Sequence, residues 1–116
     1  MKKVYIQLST HWDREGYNPF QAFRYELIGV IDKIISEVKS KQNIENFVFD
    51  GQTIVTEDYL DIVPENRCEL ATQIENGSIN IGPWYVMPDE WLVSGESLIR
   101  NFQQGKRICD DFNTEP

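Results

Sequence analysis

An α/β fold made of parallel βαβαβα units is the fold class this sequence predicts, on three observations. Lys3-Val4-Tyr5-Ile6-Gln7-Leu8 alternates with period two, placing Val4, Ile6 and Leu8 on one face of a strand. Residues 20–38 then carry apolar side chains at three- and four-residue steps, the signature of an amphipathic helix. Two later short apolar runs, Phe47-Val48-Phe49 and Ile79-Asn80-Ile81, are each followed by turn residues and further helical sequence. Strands alternating with helices imply a parallel sheet with crossover connections.

Each element follows from its own residues. Asn18 is the expected cap of the first helix, with Pro19 in its first turn. Phe20, Phe23, Leu27, Ile31, Ile34, Ile35 and Val38 form its buried stripe, and Lys39-Ser40-Lys41 marks its basic exit. Asp50-Gly51 ends the second strand in a turn. Thr56 is the expected cap of a short helix carrying Tyr59, Leu60, Ile62 and Val63, with Glu57 and Asp58 near its positive end. Pro64 restarts a helix in which Val63, Arg67, Leu70 and Ile74 share a face, and Gly77 stands at its C-terminal cap. Ser94 caps the last helix, with Leu98, Phe102 and Cys109 along its inner side and Glu96 and Arg100 paired on its surface. Three parallel strands would leave two open edges, so the segment reads as the opening part of a larger barrel or sheet, and in isolation as prone to self-association.

Composition narrows the function. A net charge of −8 disfavours nucleic acid and anionic membrane surfaces as partners. No apolar run approaches the roughly 18–20 residues that span a bilayer, and Met1-Lys2-Lys3 passes into a strand with no signal-like apolar stretch. Cys68 and Cys109, both in helical sequence, read as reduced structural thiols of a cytoplasmic protein.

The chemistry concentrates in His11-Trp12-Asp13, on the loop leaving the C-terminal end of the first strand. In α/β folds that end of the sheet collects metals and catalytic groups. In extended backbone, side chains two residues apart point the same way. His11 and Asp13 are therefore either a local hydrogen-bonded pair or two ligands of a mixed nitrogen–oxygen divalent metal site, the kind that zinc accepts. The site would be incomplete, since a catalytic zinc takes at least three protein ligands and the chain has a single histidine.

A set of blocks in fixed order sharpens the reading. His11-Trp12-Asp13-Arg14-Glu15, Phe49-Asp50-Gly51-Gln52-Thr53, Glu57-Asp58-Tyr59-Leu60, Gly82-Pro83-Trp84-Tyr85, Pro88-Asp89-Glu90 and Ser94-Gly95-Glu96-Ser97-Leu98-Ile99-Arg100-Asn101 span nearly the whole chain. Together they resemble the N-terminal catalytic domain of glycoside hydrolase family 38, which holds α-mannosidases and, in its bacterial branch, mannosylglycerate hydrolases. The resemblance implies that residues 1–116 are the first part of a seven-stranded α/β barrel, a single truncated domain. It also implies a zinc-dependent retaining hydrolase of α-mannosides. His11 and Asp13 match its first two zinc ligands, and the nucleophile and acid/base carboxyl are expected beyond Pro116. Retaining hydrolysis needs two carboxyl groups roughly 5 Å apart, and a metal beside the nucleophile can grip adjacent sugar hydroxyls.

One departure stands out. The family's block reads His-x-Asp-x-x-Trp, and here the last position is Gly16, followed by Tyr17. Either Tyr17 takes over the tryptophan's part in the floor of the sugar site or stacking there is weakened. Trp84 and Tyr85 are further candidates for stacking on a sugar ring, against a plain core role. Asp89 and Glu90 are candidates for orienting substrate or supporting the metal site, against a solvated acidic pair. Asp50 is either a supporting group or the turn residue before Gly51. The rivals are a mannosylglycerate hydrolase of the same family, a metal-dependent carbohydrate deacetylase, and a non-catalytic carbohydrate-binding or oligomerisation module. The isolated 116-residue chain is expected to be inactive.

Overall fold

The computed structural model describes residues 2–14 and 16–116; Met1 and Glu15, the latter closing the His11–Glu15 block, lie outside the described residues. Strand β1 (Phe47–Val48) pairs in parallel with β2 (Ile79–Asn80), in the register Phe47 to Ile79 and Val48 to Asn80. The odd-numbered amides of this strand face β2, Phe47 N–H donating to Ser78 O and Phe49 N–H to Asn80 O. Val48 turns the other way: its N–H donates to Leu8 O and its carbonyl accepts from Thr10 N–H, a single parallel bridge at Ser9. The spatial order is therefore residues 8–10, β1, β2, with β1 in the middle.

The expected first strand shrinks to that bridge. Val4, Tyr5 and Ile6 are all more than 80% exposed, with Val4 at 83%. β1 offers two residues of backbone, enough for one rung on this side, and nothing among the described residues covers the apolar face of Val4, Ile6 and Leu8. Alternation makes a strand only where a pairing partner and a covering layer exist.

The helices follow the sequence more closely. Helix α1 (Phe20–Ser40) buries Leu27, Ile31, Ile34, Ile35 and Val38 as one stripe, worth about 2 kcal/mol for each side chain removed from water. Asn18 does not cap it. Pro19 occupies the N-cap position in extended conformation, and its carbonyl accepts from Ala22 and Phe23 N–H at 2.9 and 3.2 Å. The helix ends at Lys41 in a left-handed conformation, whose N–H returns to Glu37 O. Helix α2 (Ile54–Leu60) starts three residues earlier than expected, with Thr53 and not Thr56 in the cap position; Thr56 is buried inside it with its hydroxyl on Thr53 O at 2.7 Å. A 3-10 turn at Pro64–Asn66 leads into α3 (Arg67–Glu75), which buries Leu70 and Ile74 while Arg67 faces solvent. Gly77 follows with φ +77° and its N–H on Ile74 O, the expected helix stop.

Helix α4 (Gly95–Asp111) begins as expected, with Ser94 Oγ accepting from Ser97 N–H at 3.2 Å. Its inner side is Asn101, Gly105, Ile108 and Cys109; Phe102 is 41% exposed. Gly105 lies directly against the loop that leaves β2, since a Cβ there would run into the backbone of Pro83, Trp84 and Tyr85. Asn101 fastens the same loop: its Oδ1 accepts from Tyr85 and Val86 N–H at 2.7 and 3.0 Å, and its Nδ2 donates to Val86 O at 2.7 Å. Glu96 and Arg100 form the expected surface pair at 2.7 Å, and both cysteines are free, Cys68 exposed and Cys109 buried. One core joins α1 to Phe47, Phe49, Tyr59, Leu70, Ile74 and Ile79.

Candidate metal-binding cleft

Parallel pairing sends three loops out of the same end of the sheet: the one after Ser9, the turn after β1 and the loop after β2. Between them lies a cleft of about 540 Å³ lined by His11, Asp13, Arg14, Asp50, Gln52 and Asp89, among others. His11 stands 77% exposed between two carboxylates. Its Nδ1 is 2.9 Å from Asp50 Oδ2, and its Nε2 is 3.7 Å from Asp13 Oδ1.

These distances dictate the proton position on a neutral ring. An ionised carboxylate only accepts, so the 2.9 Å contact requires the hydrogen on Nδ1. Nε2 then carries a lone pair, facing a carboxylate beyond hydrogen-bond reach. Two lone-pair donors this close can share a cation, and an imidazole nitrogen with a carboxylate oxygen suits zinc. The two-ligand part of such a site fits. Among the described residues, no group of three or more His, Cys, Asp or Glu side chains is arranged to hold a metal ion.

The loop that carries His11 is anchored by long-range bonds. Arg14 makes a two-pronged bond to Asp58 on α2, Nε to Oδ2 at 2.7 Å and Nη2 to Oδ1 at 2.9 Å. Asp58 is buried, and Arg24 of α1 donates to its backbone carbonyl at 3.3 Å and to Asp61 at 3.1 Å. Both guanidinium groups lie over the ring of Phe20. Gln52, 1% exposed, donates from Nε2 to Trp12 O at 2.9 Å, and its Oε1 accepts from Met87 N–H at 3.4 Å. One buried amide thus joins all three loops. Sequence reasoning assigned no role to Gln52, nor to Asp58 beyond the helix start, because their partners lie 40 and 44 residues away.

The family model for the glycosyl hydrolases family 38 N-terminal domain matches residues 1–116. The chain belongs to glycosyl hydrolase family 38. It is 40% identical over 111 residues to a protein of Halalkalibacterium halodurans named "Putative mannosylglycerate hydrolase", covering 96% of this chain and 12% of that protein. It superposes with a TM-score of 0.94 on the crystal structure of an alpha-mannosidase from Enterococcus faecalis V583, at 34% identity, covering 100% of this chain and 13% of the other. A second Enterococcus faecalis structure, of a protein in glycosyl hydrolase family 38, gives a TM-score of 0.87 at 29% identity, covering 97% and 13%. The chain spans about an eighth of the length of these family 38 relatives.

The candidate residues of this family 38 segment do not all meet. His11, Asp13 and Asp89 line the cleft together with Asp50. Glu90 is exposed and does not line it, and Tyr17 is 93% exposed outside it. The Trp84 ring lies on Phe102 of α4, centroids 3.8 Å apart. Tyr85 turns toward α2, its hydroxyl donating to Glu57 Oε2 at 2.8 Å. Burial, reinforced by that carboxylate, pushes the Tyr85 phenol up to about 12, so it remains a donor.

Proposed function

We propose that this chain is the opening part of the barrel domain of a zinc-dependent retaining glycoside hydrolase that acts on α-mannosides. The observation that carries the reading is the His11–Asp13 pair, with Nε2 and Oδ1 3.7 Å apart beside a cleft at the C-terminal end of a parallel sheet. Membership of family 38 and the likeness to an alpha-mannosidase supply the reaction class. His11 and Asp13 would hold the metal from one side, and remaining ligands, nucleophile and acid/base carboxyl would come from sequence outside these residues. Zinc, when bound, supplies electrostatic grip on adjacent sugar hydroxyls. This chain's residues set the ligands in place, and Asp89 stands in the cleft as a carboxylate for substrate hydroxyls. Tyr17, Trp84, Tyr85 and Glu90 would touch sugar only if the remaining sequence brings it to them.

Mannosylglycerate is the second substrate reading, favoured by the name of the 40% identical relative. A cytoplasmic location is proposed with either, and no helix of the described residues is long and apolar enough to cross a membrane. The isolated chain is expected to self-associate through Val4–Leu8 and the outer edge of β2, which sedimentation velocity reads directly.

The deciding experiment assays the full-length gene product on an aryl α-mannoside and on mannosylglycerate, after chelation and again with zinc restored. Zinc-restored turnover that disappears in His11→Ala is expected, and the preferred substrate chooses between the two readings. Turnover indifferent to chelation refutes the zinc reading. No turnover on either substrate by folded protein favours a non-catalytic carbohydrate-binding or oligomerisation module.

A further inference from the structure

We propose that Asp50 is the positioning residue of this cleft: it holds the hydrogen of His11 on Nδ1 and thereby presents Nε2, as a lone pair, to the side where Asp13 stands. The inference deepens the zinc reading and rests on it for the identity of the cation, but its structural half stands alone. Asp50 sits in a left-handed conformation, φ +46°, followed by Gly51 at φ +69°, and Gln52 N–H closes the turn on Phe49 O at 2.9 Å. An aspartate tolerates that conformation better than most residues, yet asparagine or glycine suits it at least as well. Turn geometry alone therefore does not require a carboxylate here; the contact with His11 does.

The same turn grips the ligand loop a second time. Gln52 Nε2 donates to the carbonyl of Trp12, the residue between the two ligands, from a position shielded from solvent. Asp50 thus fixes the ring while Gln52 fixes the peptide that links His11 to Asp13. A histidine 77% exposed would otherwise sample several rotamers and both neutral tautomers. Ring orientation set by a carboxylate on the far nitrogen is the usual means of strengthening an imidazole ligand.

The test uses the full-length gene product with 15N-labelled histidine, stripped of metal by chelation, the His11 signals being identified by their loss in His11→Ala. Long-range proton–nitrogen NMR on that protein, at about pH 8.5 and above the ordinary imidazole range, reports which nitrogen of His11 carries the hydrogen. The same spectrum, followed through a zinc chloride titration, reports binding at Nε2. The wild type is expected to show Nδ1–H, with zinc perturbing Nε2. Asp50→Gly and Asp50→Ala, which leave Nδ1 without a side-chain acceptor, are expected to shift the population toward Nε2–H and to weaken zinc binding roughly 10-fold or more. Glycine adopts the left-handed turn at φ +46° without steric cost, so that variant isolates the loss of the carboxylate, and circular dichroism checks the folding of both. A wild-type ring protonated at Nε2, or a tautomer balance unchanged by either substitution, overturns the proposal. So does zinc binding of equal strength in wild type and variants. A tautomer that responds as expected in a full-length protein whose His11 Nε2 ignores zinc upholds the positioning role and overturns the zinc reading instead.

Discussion

Alanine at two glycines should move stability in opposite directions, and the difference measures how tightly α4 is seated on the loop after β2. Gly29 of α1 has nothing within 4 Å of where its Cβ would stand. Gly29→Ala therefore gains helix propensity with no steric cost, about 0.5–1 kcal/mol. Gly105 of α4 would place the same methyl against backbone: under van der Waals distance from Pro83 O, 2.6 Å from Trp84 C and 2.7 Å from Tyr85 N. Backbone cannot rotate aside, so the helix must lift by about 1 Å, an overpacking cost of roughly 1–3 kcal/mol. Lifting also stretches the Asn101 bonds to Tyr85 and Val86, now 2.7–3.0 Å long, each worth about 1 kcal/mol. Set against the propensity gain, the net loss is about 2–4 kcal/mol, or a Tm lower by roughly 8–16 °C in a domain of this size. Thermal unfolding followed by circular dichroism at 222 nm measures both variants. A Gly105→Ala protein as stable as the wild type would refute the close seating of α4, and with it the account of how the cleft wall at Val86–Asp89 is held.

Two further predictions concern buried polar groups. Asp58→Ala removes the acceptor of the Arg14 prongs and leaves the Arg24 side chain, 15% exposed, with less compensation; since Arg14 is 32% exposed and partly screened by water, the expected loss is about 2–4 kcal/mol. Urea denaturation reads it, and an unchanged midpoint would show that the ion cluster does not anchor the ligand loop. Tyr59 is fully buried, donates to Asp32 Oδ1 and accepts from Asn66, and burial above all pushes its phenol up to about 12. A raised folded-state value means stability is whole below the ordinary phenol value near 10 and is lost as pH climbs through about 12. The loss is on the order of 2 kcal/mol across that window. Tyr59→Phe should be less stable at pH 8 and show a shallower decline between pH 10 and 12; a parallel decline would assign the alkaline loss to other groups.

The contrast between what was legible in the sequence and what was not has a physical cause. The stripe Leu27–Val38, the Ser94 cap and the Gly77 stop are local: each depends on residues within four positions, where periodicity and propensity act. The two short strands at Phe47–Val48 and Ile79–Asn80 and the Asp50-Gly51 turn were legible for the same reason. Errors arose where a local preference lost to a tertiary partner. Thr56 was pulled into α2 by burial, whereas the Asn18 error is local, a one-residue shift in which the helix begins on the Pro19 carbonyl. Val4 and Ile6 had alternation but no partner strand.

The site itself divides along the same line. Nearness in sequence brings His11 and Asp13 together, but what aims them comes from far along the chain: Asp50 after 39 residues, Gln52 after 40 and Asp58 after 44. No spacing rule reaches that distance. All three lie in or just after the β1–α2 connection, so a single turn and the helix it opens set the imidazole, the peptide behind it and the arginine that closes the loop. On the zinc reading proposed above, a loop held at three points by one neighbouring unit would be ordered before a metal arrives, so binding would not first have to freeze a 77% exposed ring. On that same reading, ligands from outside these residues would meet two donors already held in place.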